Sequence, residues 1–307
     1  MTAPAVDTPP PNAQPNLGTR LGIGFMRLLA RLPLPWVRAL GRVLGHVLHA
    51  LAGRRRRIAL ANWRACFPDQ SEAECRAAVR RHFVFFAQAW LDRGWLWEGP
   101  EHLVKRRLML KGDLAVFDGD KPTVMFAPHF VGLDAGGTAL SAKVARRFCS
   151  VYAEQANPAI DRWIAEGRQR FGHPHIVNKW QGLRAIVSAV RDGFPLYLLP
   201  DMDHGERDAV FVPFFGVKAA TVTSLPRLAR LGKAQVVSVT TRMVPEGYEV
   251  TVHPPWEGYP TESVEEDTAR MNRVLEGYIR TMPEQYYWVH KRFKTRPPGE
   301  PDFYQGV

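Results

Sequence analysis

The chain has 307 residues, 46% of them hydrophobic and 23% charged, so it can bury a sizeable core and is not globally disordered. A net charge of +11 points to an anionic partner: nucleic acid, an anionic membrane surface, or an acidic substrate or carrier. Three cysteines, Cys66, Cys75 and Cys149, make no C-x-x-C pair and read as reduced thiols, which argues against a disulfide scaffold.

Residues 1–16 hold five prolines and no aromatic residue, which predicts a disordered tail. They lack the basic and apolar regions of a secretory signal. Residues 17–57 read as a membrane-associating segment. The longest stretch there without Lys, Arg, Asp or Glu is Val43–Gly53, too short to span a bilayer. Arg20, Arg27, Arg31, Arg38 and Arg42, continued by His46 and His49, keep to one helical face. Leu21, Phe25, Leu28 and Leu32 lie on another, as do Leu40, Leu44, Val47 and Leu51. Pro33 and Pro35 divide the segment into two amphipathic helices with a cationic stripe, suited to lying on anionic lipid or, alternatively, to packing as ordinary surface helices. Arg54–Arg57 follow as a basic anchor; a nucleic-acid patch is the competing reading, but no helix-turn-helix, zinc-finger or RNA-recognition signature accompanies it.

A short helix is predicted over 58–67. Ser71 and Glu74 then form a capping box that opens a long helix to about Trp97, with its aromatic residues at core spacing and Trp90, Trp95 and Trp97 alternatively suited to a membrane interface. From residue 107 strand-length apolar runs alternate with helical stretches. Strands are predicted at Leu108–Leu110, Val124–Ala127, Phe148–Ala153, Tyr197–Leu199, Val210–Phe215, Val236–Thr241 and Tyr248–Val252. Helices are predicted at 131–144, 158–170, 181–192 and 222–231, and finally from Ser263 to Met282. This alternation predicts an α/β fold with a mostly parallel central sheet flanked by helices, over a domain of residues 58–300.

Polar residues gather where the apolar strands end. Thr123–Gly137 runs from a buried strand into Pro128, His129 and a glycine-rich helix start, with Asp134 five positions after the histidine. A His at such a strand end, oriented by a carboxylate, has the parts of a general base; plain loop hydrogen bonding is the ordinary alternative. Asp201 and Asp203 follow the run Leu196–Leu199, and Arg168 sits on the helix after a third strand. No H-E-x-x-H, EF-hand, P-loop, G-x-G-x-x-G or G-x-S-x-G pattern is present, so no metal, nucleotide cofactor or serine nucleophile is expected.

His129-Phe-Val-Gly-Leu-Asp134 resembles the H-x4-D/E motif of the glycerolipid acyltransferases. Asn62, Cys66-Phe-Pro68, Pro200-Asp-Met-Asp-His-Gly205, Val212-Pro-Phe-Phe-Gly-Val217, Ala220-Thr-Val-Thr223 and Trp288-Val-His-Lys-Arg-Phe-Lys-Thr-Arg-Pro297 narrow the likeness. Together they resemble the late acyltransferases of lipid A biosynthesis over roughly residues 20–300, although relatives commonly carry Glu where this chain has Asp134. The resemblance implies an enzyme on the cytoplasmic face of the inner membrane. It would move a fatty acyl chain from acyl carrier protein to a hydroxyl of an anionic, phosphorylated, Kdo-bearing glycolipid, without nucleic acid or metal. On that reading His129 takes the hydroxyl proton, Asp134 fixes its tautomer, and Arg168 meets phosphate or the oxyanion. Asp201 and Asp203 hold that arginine or the sugar, or else merely cap the turn. Arg292, with its basic neighbours and Arg54–Arg57, meets the carrier or the lipid phosphates. An acyltransferase for another glycolipid or a lysolipid, and a basic peripheral membrane protein without activity, are the alternatives.

Overall fold

A computed structural model describes residues 17–152, 154–178 and 182–307. The tail expected over 1–16 lies outside these residues, as do Ala153 and position 181 at the edges of a predicted strand and helix. The described residues open with five helices: α1 (Leu17–Leu29), α2 (Leu34–Leu51), α3 (Gly53–Cys66), α4 (Glu72–Glu98) and α5 (Glu101–Arg107). The Ser71/Glu74 capping box forms as the sequence requires. The basic residues Arg54–Arg57 form the start of α3, which begins five residues before the helix expected over 58–67.

The remainder alternates. Strands β1 (Leu108–Gly112), β2 (Thr123–Phe126), β3 (Cys149–Tyr152), β4 (His175–Asn178), β5 (Leu196–Leu198), β8 (Gln235–Val244) and β9 (Gly247–Pro255) form one sheet in the order β1–β9–β8–β2–β5–β3–β4. Five neighbours, β8, β2, β5, β3 and β4, run parallel. β9 turns back antiparallel on β8, and β1 pairs parallel with β9. Helices α6 (Leu133–Lys143), α7 (Pro158–Gln169), α8 (Gly182–Arg191), α9 (Ser224–Gly232) and α10 (Val264–Thr281) complete the layers. A separate antiparallel ribbon, β6 (Ala209–Phe214) with β7 (Val217–Val222), turns at Phe215-Gly216, both at positive φ. The sequence reading had one strand and a turn entering a helix there.

β2 is buried on both faces. Val124 and Phe126 face the core shared with α3, α8, α9 and α10, whereas Met125 and Ala127 face the core shared with α1, α2 and α6. Helix α4 serves both cores: Val79 and Phe83 belong to the first, Leu91 and Trp95 to the second.

α2 lies directly on α4. A Cβ at Gly45 would stand 2.5 Å from Val84 Cα, and one at Gly41 would stand 2.7 Å from Gln88 Cγ, so two glycines one turn apart let the backbones meet. Beside that seam the buried Asp92 carboxylate accepts from Arg38 Nε at 3.1 Å, Trp95 Nε1 at 2.9 Å and the Tyr248 hydroxyl at 2.7 Å, joining α2 to α4 and β9. Arg38 therefore leaves the cationic stripe expected of it and works as a buried counter-ion, 11% exposed. The apolar stripe, in contrast, is largely uncovered: Leu21, Phe25, Leu28, Leu32, Leu40, Val47 and Leu51 are exposed, together with Leu17, Trp36 and Val43.

These two helices give opposite expectations for glycine replacement. Alanine is favoured over glycine inside a helix by about 1 kcal/mol. At Gly22, where a Cβ meets nothing within 4 Å, Gly22→Ala is expected to preserve or raise the urea midpoint. At Gly45 the backbone overlap reverses the sign, and Gly45→Ala is expected to lower stability by about 1–3 kcal/mol. Equal midpoints for the two variants would contradict the close α2–α4 seam.

Candidate active site

Local chain chemistry sets the site at the carboxyl end of β2. The ladder continues to Ala127, whose N–H donates to Leu198 O at 2.9 Å, and stops at Pro128, which has no N–H to give. The next residue, His129, donates its backbone N–H to Asp201 Oδ2 at 2.9 Å, and its ring Nδ1 lies 2.7 Å from Asp201 Oδ1. Asp201 is fully buried at the end of β5, the strand beside β2. Burial opposes its ionisation, but the charge and hydrogen bonds of His129 outweigh that and hold the carboxyl below its ordinary value. An ionised carboxylate only accepts, so Nδ1 carries the hydrogen, and in the neutral form of the ring Nε2 presents a lone pair. The imidazole is 22% exposed.

The His129 backbone is clamped from a second side. Tyr287 N–H donates to His129 O at 3.0 Å, and Val131 N–H to Gln285 O at 2.8 Å. The strap that supplies these groups is itself fixed: Gln285 bonds both polar backbone groups of Met243, and the ring of His82 meets Glu284 O at 2.9 Å.

Asp134 stands elsewhere than the sequence suggested. Gly132 and Gly136, one turn apart, press α6 onto the sheet; a Cβ at either would fall within 2.8 Å of Thr241. Asp134, on the opposite face of that turn, points at α4 and α7. Its Oδ2 accepts from Arg93 Nε at 2.8 Å and its Oδ1 from Arg168 Nε at 2.9 Å. The expected Asp134–His129 contact is thus replaced by Asp201–His129, because the turn that sets Gly132 and Gly136 against the sheet carries Asp134 on its other face, toward the two arginines. Burial would raise the Asp134 carboxyl, yet Arg168 and then Arg93 bring it down to about 2.

The other expected residues fall into place around this pair. Arg168 lines the site, 37% exposed, with its guanidinium over the Tyr152 ring and its carboxylate partner in Asp134 rather than Asp201 or Asp203. Asp203 is buried and ties the loop after β5 to the C-terminal segment, accepting from Thr295 N at 2.7 Å, Thr295 Oγ1 at 2.8 Å and Gly205 N at 2.9 Å. Arg292 is an interior residue: its guanidinium donates to Ala220 O at 2.8 Å and Thr221 Oγ1 at 2.7 Å beneath the Phe214 ring. Nothing in that position is open to a ligand, which corrects its expected substrate-binding role. Arg93 was missed altogether; a lone arginine between Trp90 and Trp97 was its only sequence signal.

Beside His129 and Asp134 lies a cavity of about 880 Å³. Leu133 and Leu140 of α6, Leu183 and Ile186 of α8, Leu228 of α9, and Leu198 and Leu199 at the end of β5 give it mainly apolar walls. It lies beyond the point where β3 and β5 part, for their pairing ends at Ser150–Tyr197. Polar side chains, among them His204, Arg207 and Arg227, also line it. Among the described residues no group of three His, Cys, Asp or Glu side chains is placed to hold a metal ion. The arrangement can take a proton from a group brought to Nε2 while an elongated apolar chain occupies the cavity.

Residues 13–295 match the profile of the bacterial lipid A biosynthesis acyltransferases. The chain is similar to the lipid A biosynthesis lauroyltransferase of Escherichia coli K12, 34% identical over 93% of this chain and 94% of the relative. It is 32% identical to the palmitoleoyltransferase of that organism, again over 93% of this chain and 94% of the relative. The myristoyltransferase of the same strain is 31% identical over 92% of this chain and 88% of its own length.

The arginine clamp on Asp134 has a pH signature. Its folded-state pKa lies below the ordinary 3.8, so the clamp's contribution is complete above about pH 4 and is lost as pH falls towards 2. A depression of that size corresponds to roughly 2 kcal/mol. Asp134→Asn is expected to lower stability at neutral pH and to flatten its decline between pH 4 and pH 2, measured by urea unfolding across that range. Parallel profiles for the two proteins would refute the clamp.

Proposed function

The chain belongs to the bacterial lipid A biosynthesis acyltransferase family, and from that membership we propose how its site works. It is an O-acyltransferase that acts on a lipid A-type acceptor. The donor in this reading is a fatty acyl thioester on acyl carrier protein. The thioester's acyl chain occupies the apolar cavity beside His129, with its carbonyl carbon near Nε2.

His129 Nε2 takes the proton of an acceptor hydroxyl as that oxygen attacks the carbonyl carbon. The C–S bond then breaks, and the imidazolium returns the proton to the departing thiolate. Asp201 holds the imidazole by Nδ1 and compensates its positive charge while the proton resides there. Arg168, with Arg93 beside it, supplies positive charge for the oxyanion or a phosphate, and Asp134 holds both guanidiniums in place. No residue of the chain need become acylated. The observation that carries the reading is the buried Asp201–His129 pair, 2.7 Å apart, at the edge of the cavity.

Residues 17–57 are the membrane-associating part in this proposal, at the cytoplasmic face of the inner membrane. Support comes from the exposed apolar residues of α1 and α2 and the basic start of α3. Among the described residues no helix is long and apolar enough to cross a membrane.

His129→Ala is expected to cut turnover of acyl-acyl carrier protein by about 10²–10⁴-fold with an unchanged circular dichroism spectrum. Asp201→Asn is expected to fall in the same range, since it leaves the ring without a charged acceptor at Nδ1. Near-normal turnover of His129→Ala in an assay with a Kdo-bearing lipid A precursor would overturn the mechanism.

A further inference from the structure

Two substrates must reach one imidazole. The apolar cavity accommodates one of them, and no residue of α4 lines it. A second surface meets the same catalytic centre. Phe86, Trp90 and Arg93 follow one another on α4 at spacings of four and three, and so share a helix face. At one end of this face Phe86 stands 5.9 Å from Tyr287, whose ring is tilted 32° to that of His129 at 6.5 Å. At the other end the Arg93 guanidinium lies 5.4 Å from the Trp90 ring centre and donates through Nε to Asp134. Both ends of the strip therefore close on the H-x4-D segment. Trp90, between them, is 45% exposed.

Resting on the lipid A reading above, we propose that this face of α4 is the acceptor's platform, with Trp90 as its centre. An indole face beside a guanidinium suits a phosphorylated sugar: the apolar C–H face of a glucosamine ring lies on Trp90, and Arg93 donates N–H groups to a phosphate or carboxylate oxygen. The charge fits an anionic ligand, because Arg93 and Arg168 share the single carboxylate of Asp134. The position fits an amphiphile. Gly94, one turn beyond Trp90, is pressed onto the Met26 backbone of α1, so the platform borders the helix that presents Leu21 and Phe25 outward. The acceptor hydroxyl then approaches His129 past Tyr287 while the acyl chain of the donor stays in the cavity.

Steady-state transfer in detergent micelles, with acyl-acyl carrier protein and a Kdo-bearing lipid A precursor, tests the platform. Trp90→Ala is expected to raise the acceptor KM by about 5–10-fold, the scale of one lost aromatic contact, with the donor KM and the melting temperature unmoved. Trp90→Phe is expected to restore most of the loss, and it remains informative if the alanine variant folds poorly. An unchanged acceptor KM, or an equal rise in the donor KM, overturns the platform. Weakened binding to anionic vesicles lacking acceptor, with normal acceptor KM in micelles, makes Trp90 a lipid anchor and likewise overturns it. If the wild-type chain transfers nothing to this acceptor, the lipid A reading fails; transfer by the wild type with an unmoved KM in the variants sinks the platform alone.

Discussion

A carboxylate with no access to solvent has to be compensated, and Asp201 is compensated by His129. Removing such a charge from water costs several kcal/mol unless hydrogen bonds and an opposite charge replace the lost hydration. Here one residue supplies both the backbone N–H and the ring N–H. That demand fixes the register of the central strands. β2 and β5 pair as Phe126↔Leu198, and each strand then needs the same three further residues to arrive at His129 and Asp201. A slip of one residue would part the two groups and would also reverse which β2 side chains enter which core.

The two carboxylates of the site have separate tasks because the chain leaves β2 and β5 in different ways. Three residues past β5, Asp201 meets both the backbone N–H and the ring of His129. After β2 the glycines at 132 and 136 draw α6 tightly onto Thr241, and the same helix turn directs Asp134 outward to Arg93 and Arg168. Helix α4 connects the two arrangements. Its first half holds the strap that clamps His129 through His82, and its second half carries Arg93 and the buried Asp92. The long helix, whose aromatic residues read as core or as interfacial in the sequence, thus holds both arrangements of the proposed site.

The alternation of apolar runs and helical stretches was enough to read a mostly parallel sheet, and His129 stood out because Pro128 ends a uniformly apolar run. What stayed hidden depended on contacts between distant segments. Asp201 is 72 residues from His129, and sequence spacing favoured the nearer Asp134. Arg292 sits in a basic, surface-like run, yet the ribbon β6–β7 and α10 enclose it. β7 escaped because its turn is Phe215-Gly216, where Asn-Gly or Asp-Gly would have announced a hairpin. β4 escaped because its four residues, His175–Asn178, begin and end with polar side chains. The amphipathic pattern of α1 and α2 grouped Leu44 with residues that are exposed although it packs on the core, left out the exposed Leu17, Trp36 and Val43, and did not show that Arg38 would turn inward to a carboxylate on α4.

The seam between α2 and α4 sets a vertical distance. Glycine contacts and the Arg38–Asp92–Tyr248 cluster join the helix bearing Trp36, Val43, Val47 and Leu51 to β9 of the same sheet that delivers His129. If those residues rest on a bilayer, as proposed above, the imidazole stands at a set height above the lipid plane. Hydroxyls at that depth come within range by lateral diffusion in two dimensions, whereas those deeper or shallower by a few bonds do not. Positional choice among several hydroxyls of one lipid then becomes a matter of elevation, decided by how the N-terminal helices are bolted to the sheet.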